Sequence, residues 1–303
     1  MDPQVTAAVI AAGVSGLTLL STLAARRATS KQLDRTLGEQ RTRTLNERFA
    51  TAADQLGSEK PAVRLAGVYS MAGLADDWEE NRQPCVDVLC AYLRMPYERN
   101  PGKGAPEPEL LAFEANREVR HTVIRVITQH LKMDAKIPWQ GLNLDFTGVV
   151  FDGADFALAQ FSSGKVIFKD TRFREGEVHF NAARFSGAVA DFTGAHFSGG
   201  TVHFSNAQFC GGTVDFSHTQ FTRGTVQFDY ACFSAGTIRF TSAKFSGTMI
   251  SFESARFIGG AVHLEESEFT GGAVDFSHVD EWSLPPTLPP GDAPPMGVSL
   301  PGT

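Results

Sequence analysis

Four cysteines and eight histidines are the side chains of this 303-residue chain best suited to nucleophilic or metal chemistry. Cys85 and Cys90 stand five apart, Cys210 and Cys232 lie far downstream, and no CxxC pair occurs. Zinc and redox sites use close cysteine pairs, so these four read as small buried or partly buried thiols of a reducing compartment. His179 and His203 are 24 residues apart. Two imidazoles can begin a metal site, but residues at the same 24-residue interval continue as Gln227, Ser251 and Asp275, without a convergent third ligand nearby. The pair reads as surface histidine. GxSxG, the phosphate-cradling GxxxxGK[ST] and HExxH are all missing from the sequence. Within residues 142–278 the densest acidic group is Glu265, Glu266 and Glu268. The chain is therefore read as non-enzymatic, with no metal and no cofactor, and those three glutamates are its candidate interaction patch.

The interval of 24 comes from the element that must position these residues. Of the 24 Phe, 22 fall between residues 142 and 278, first five apart and then alternately seven and five apart; Leu264 fills the one vacant place. Phe168, Phe180, Phe192, Phe204, Phe216, Phe228, Phe240 and Phe252 mark the 12-residue unit. Two places before each aromatic stands a second apolar or small residue, as in Val202-His-Phe204 and Ala207-Gln-Phe209. A spacing of two puts both side chains on one side of an extended segment. Each unit thus holds two short strands, and two units enclose a column of rings. The pattern predicts a right-handed, four-sided β-solenoid of nearly six coils, about 28 Å long at ~4.8 Å per stacked strand. Glycine recurs three places after the aromatic at the wider corner (Gly164, Gly176, Gly200, Gly212, Gly224, Gly236, Gly260, Gly272), which implies positive φ or close backbone approach.

Leu144-Asp-Phe146, Val149-Val-Phe151 and Ala154-Asp-Phe156-Ala-Leu158 carry a resemblance to the pentapeptide-repeat proteins, and the rest resembles that family's 12-residue variant. The resemblance covers about 135 residues. It implies the solenoid fold and no particular activity. The segment from Arg48-Phe49 to Val68-Tyr69 is similar to the helical preamble of membrane-linked bacterial members.

The remaining chain divides into an anchor and flank (residues 1–27), a helical block (28–137), the solenoid (138–279) and a Pro-rich tail (280–303), an α+β organisation overall. Residues 5–25 carry no charge and as a helix reach about 31 Å, enough to cross a bilayer core. Arg26, Arg27, Lys31 and Arg35 follow, which places the C-terminal domains in the cytoplasm of a single-pass membrane protein. Ala8, Ala12 and Gly16 form a small-residue row that suits helix pairing and hence a homo-oligomer. Helices are expected over 30–57, 61–77 with Val63, Ala66, Tyr69 and Leu74 inward, 81–95 with Val86, Leu89, Cys90 and Leu93 inward, and 108–133 with Val119, Val123, Val126 and Ile127 inward. Helix packing around Pro138-Trp139 is expected to cap the first coil, while the tail either covers the last coil or hangs free.

A net charge of −7 disfavours nucleic-acid binding. Some pentapeptide-repeat proteins imitate DNA and act on topoisomerases, and that is the alternative function. A mimic should stack acids coil after coil, yet the outward columns read Ile167, Asp191, Asp215, Arg239, His263 and Arg172, His196, Gln220, Lys244, Glu268, with a third of Arg184, Gln208, Cys232, Arg256. The mixed signs favour a membrane-tethered scaffold for an unknown protein partner.

Overall fold

The computed structural model describes residues 3–302 apart from Asp292, with side chains described at Arg26 and from Ser30 onward. Helix α1 (Pro3–Leu56) is continuous. Residues up to Thr51 form one unit, and Ala52 begins a second, compact unit that holds everything else. Among the described residues no helix is long and apolar enough to cross a membrane. The side chains of residues 5–25, on which the anchoring expectation rests, lie outside the described residues.

In the second unit α2 (Pro61–Asp77), α3 (Arg82–Arg94) and α4 (Glu107–Leu131) pack on one another. Pro61 opens α2 at a position where a missing N–H costs nothing. The inward faces of α3 and α4 are those their spacing predicts. That of α2 is not. Val68, Met71, Leu74 and Ala75 are buried, whereas Tyr69 is 56% exposed and Ala66 is exposed too. Gly67 is the reason: a Cβ there would stand 2.7 Å from the Leu56 backbone nitrogen, so the close crossing rolls α2 and turns Tyr69 outward.

From Leu144 the chain winds into a β-solenoid of about six coils, built of parallel strands only. Strands such as His196–His203 and Gln208–Asp215 run eight residues and bend through the wide corner, so four faces pair into two bent sheets. Register repeats every 24 residues, as in Val202↔Val226 and Phe209↔Phe233. The first coil is shorter, pairing Val150 with Arg172, because three of its four corners are of the five-residue kind, against two in later coils. The Phe rings fill the interior. Phe168, Phe180, Phe192, Phe204, Phe216, Phe228, Phe240 and Phe252 are each at most 3% exposed. Along one column Phe192, Phe216 and Phe240 stack at 4.7 and 4.9 Å, in the range where aromatic pairs add to burial. Thr171, Thr219 and Ser267 replace the buried Ala without leaving an orphan hydroxyl, since each donates to a Phe carbonyl (Phe168, Phe192 and Phe240).

Two kinds of corner close each unit. At the wide corner Gly200 has φ +71°, and an added Cβ would meet Gly176 O at 2.3 Å. Seven of the eight predicted glycines share the positive φ, the exception being Gly260. At most tight corners the second residue after Phe is left-handed with little regard to its type: Leu158, Asp170, Ala182, Asn206, His218 and Tyr230 all have φ between 52° and 63°.

Both ends are covered. Trp139 is fully buried against His130, with ring centroids 3.9 Å apart, and its Nε1–H donates to Asp76. The tail takes the first of its two alternatives. Glu281–Trp282 pairs with Arg256–Phe257, Thr287 bridges to His263, and Val298–Ser299 pairs with Val274–Asp275, so residues after 279 wind one more partial coil.

Candidate functional site

Outward side chains stand in ladders because beyond the first coil the repeat strands pair with those 24 residues on. The columns read from the sequence are the columns observed: Ile167, Asp191, Asp215, Arg239, His263 on one face and Arg172, His196, Gln220, Lys244, Glu268 on another. The third keeps Arg184, Gln208, Cys232 and Arg256 in line. Their acids are also less available than the sequence suggests. Asp191 and Asp215 each accept the N–H two residues on, from Thr193 and Ser217, and so staple the tight corner. At Asp275 the Ser277 hydroxyl and N–H do the same and hold the carboxyl below its ordinary value.

The candidate patch is likewise divided. Glu268 pairs with Lys244 Nζ at 3.2 Å, one rung earlier. Glu265 faces His263 at 3.1 Å and accepts from the Thr287 hydroxyl of the tail. Glu266 is exposed at the corner. Only part of the acidity is therefore presented outward.

A second region, not singled out in the sequence, is the seam between α4 and the first coils. Asp152 is its centre. It accepts from Tyr97 Oη at 2.7 Å and from Arg117 Nε at 3.2 Å, and lies 3.1 Å from His121 Nε2. Burial opposes its ionisation, but the His121 and Tyr97 hydrogen bonds and the His121 and Arg117 charges outweigh this and hold its carboxyl below the usual value. Tyr97 moves the other way, raised by burial and by the same Asp152 contact. Arg120, buried, donates to Leu93 O and Val150 O and lies over the Tyr97 ring at 4.2 Å. The groups lie on different elements, and no spacing rule brings them together. The one available signal was the charge on the otherwise apolar face of α4, at Arg117, Arg120 and His121.

Beside this network α4 and the solenoid enclose a cleft of about 490 Å³, lined by Arg125, Thr128 and Lys132 on one wall and by Asp155, Glu177 and His179 on the other. Thr128 fastens the walls by donating to Asp155 O at 2.7 Å. His179 stacks on His203 at 4.8 Å, the separation its register predicts. The sequence reading is corrected in one respect. A third ligand does stand nearby: Glu177, two residues before His179 on the same strand, reaches its Nε2 at 3.3 Å. Reading along the column misses it, because residues two apart on a strand share a face.

No family model, curated protein or solved structure matches this chain. The likeness to pentapeptide repeats therefore rests on the Phe periodicity and on the solenoid it builds.

The thiols are poor nucleophiles where they are buried. Burial pushes Cys85 up to about 11 and Cys90 up to about 12, and neither lines the cleft. In the cleft the Thr128 hydroxyl is committed to Asp155. The His121–Asp152 pair is built into the network that joins α4 to the first coil.

Proposed function

We propose that the protein is a non-enzymatic scaffold, tethered to the membrane through residues 5–25, that holds its solenoid in the cytoplasm for recognition by a protein partner. The observation that carries this reading is the set of outward ladders. Side chains at Lys244 and Glu268, or Arg184 and Gln208, are locked in register over a solid aromatic core and contact one another rung to rung. Little conformational entropy remains for them to lose on binding, which suits a rigid recognition surface. Their mixed signs speak against the imitation of a nucleic-acid backbone. The candidate surface is the corner of Glu265, Glu266 and Glu268, with the helical block as the alternative face.

The test is cross-linking of the full chain in cells, comparing wild type with a Glu265→Lys, Glu266→Lys, Glu268→Lys variant of unchanged thermal midpoint. A protein captured by the first and lost by the second supports the reading, and unaltered capture moves the interface to the helices. Potent inhibition of gyrase supercoiling by the purified protein would replace the scaffold with the DNA mimic. Tethering is read separately: the chain should stay with membranes through a carbonate wash, and external protease should leave the solenoid uncut.

A further inference from the structure

We infer that Glu177, His179 and His203 form a binding site for a divalent transition-metal ion at the mouth of the cleft beside α4. The donor atoms of the three lie within 4.8 Å of one another. Glu177 Oε2 and His179 Nε2 are already 3.3 Å apart, the edge of a tetrahedron about an ion with bonds of about 2.0–2.1 Å. His203 supplies a second, independent observation. Its Nε2 is shielded from solvent and finds no hydrogen-bond partner among the described residues, an arrangement that costs free energy unless something occupies that nitrogen.

The fold explains why the site is here and not elsewhere. Parallel pairing sets His203 on His179 and Thr201 on Glu177, so two imidazoles stack while the carboxylate approaches from the side. The next rung is Gln227, which ends the run of ligands. A short turn of the imidazoles about their side-chain bonds brings the 4.8 Å trio to bonding distance, and the outer strand face leaves room for it. Two imidazole nitrogens and one carboxylate oxygen suit Zn²⁺, Co²⁺, Ni²⁺ or Cu²⁺ better than Mg²⁺ or Ca²⁺, which prefer all-oxygen shells. Three protein ligands leave a coordination position that faces the cleft, opposite Arg125 and Lys132. A water or an anionic donor from a partner would take it, with those two cations favouring the anion.

The experiment uses the purified full chain, stripped with chelator and then titrated with Zn²⁺ in a calorimeter and with Co²⁺ while visible absorption is recorded. One equivalent should bind at micromolar concentration or tighter, the Co²⁺ bands should report nitrogen and oxygen ligands without thiolate, and Zn²⁺ should raise the thermal midpoint. His179→Gln and His203→Gln should each weaken binding at least about 100-fold, since loss of an outer-shell support alone costs 10–100-fold. Gln already occupies the following rung, so these variants are expected to fold, and metal-free midpoints check it. Gln227→Ala should bind as wild type does. Binding weaker than about millimolar, binding unchanged in both histidine variants, or Co²⁺ bands with thiolate character that vanish on Cys210 and Cys232 alkylation would each overturn the site.

Discussion

The two ends of the solenoid are closed by different physics. At the first coil the cover is helical and the fastening is polar: Arg94 to Asp145 at 2.9 Å, Gln83 to Asn143, and Tyr97, Arg117 and His121 around Asp152. At the last coil the cover is more strand, and its contacts are mainly backbone pairing and Trp282 against Phe257 and Phe276 at 5.2 and 5.6 Å, with the Thr287 hydroxyl on Glu265 as a polar addition. A helix cannot continue a β ladder, so side chains such as Arg94, Gln83, Arg120 and Thr128 must satisfy or bind the carbonyls and amides of the first coil. A strand can continue the ladder, and needs only a ring to cover the last aromatics. The Pro pairs fit that second solution. Proline lacks a donor, so a Pro-rich final coil stops the ladder from recruiting further strands.

The interior sets the scale against which both ends are measured. Phe216 is fully buried between Phe192 and Phe240, and Phe216→Ala should lower stability by about 3–5 kcal/mol in denaturant unfolding. Phe269, in the terminal coil, is only half-buried. Phe269→Ala should cost visibly less. Equal losses would mean that the last coil is packed as tightly as the middle, and the contrast between interior and end would fail.

Next in size is the polar end. Asp152→Asn weakens hydrogen bonds to a charged acceptor and should cost about 1.5–3 kcal/mol near neutral pH. The pH dependence has a definite sign. A carboxyl whose folded value is depressed stabilises fully above its unfolded value, about 3.9, and that contribution disappears as pH falls through the folded value. The gap between wild type and Asp152→Asn, measured by unfolding between pH 7 and pH 3, should stay level down to about pH 5 and then narrow. A gap that does not narrow at all between pH 5 and pH 3 would assign the loss to packing rather than charge. At the other end Trp282→Ala should cost about 1–2 kcal/mol, from one partly exposed ring and its two aromatic contacts, and should show no such acid dependence.

The same division governs what could be read from the sequence. The solenoid was legible because one physical rule, a ring facing inward every five or seven residues, repeats more than twenty times and fixes the outward columns as a by-product. The tight corners were not, because a left-handed residue there can be Leu158 or Tyr230 as readily as Asn206, and residue type leaves no trace. In α2 the inward face was misread at Ala66 and Tyr69, since close contact at Gly67 overrides an Ala-rich periodicity. The seam around Asp152 joins residues 31 to 55 positions apart across a helix and a coil. Only folding brings those together. Glu177 was within reach of a reading that looked along the strand as well as along the column.

If specificity is concentrated at the ends and seams, an outward position in mid-solenoid should be nearly silent. Gln208 is exposed, and its Oε1 accepts from Arg184 Nη1 at 2.9 Å, one rung earlier. Its neighbour Phe209 points inward and is 1% exposed. An exposed hydrogen bond of this kind competes with water for both partners, and Ala keeps the strand backbone intact. Gln208→Ala should therefore change stability by less than about 0.5 kcal/mol, while Phe209→Ala, one residue on, should fall in the range of Phe216→Ala. The two unfolding curves, taken side by side, separate ladder packing from ladder display. Similar midpoints would mean that the outward rungs hold the coil together as the rings do, and a surface that carries stability is not free to be chosen for its partner.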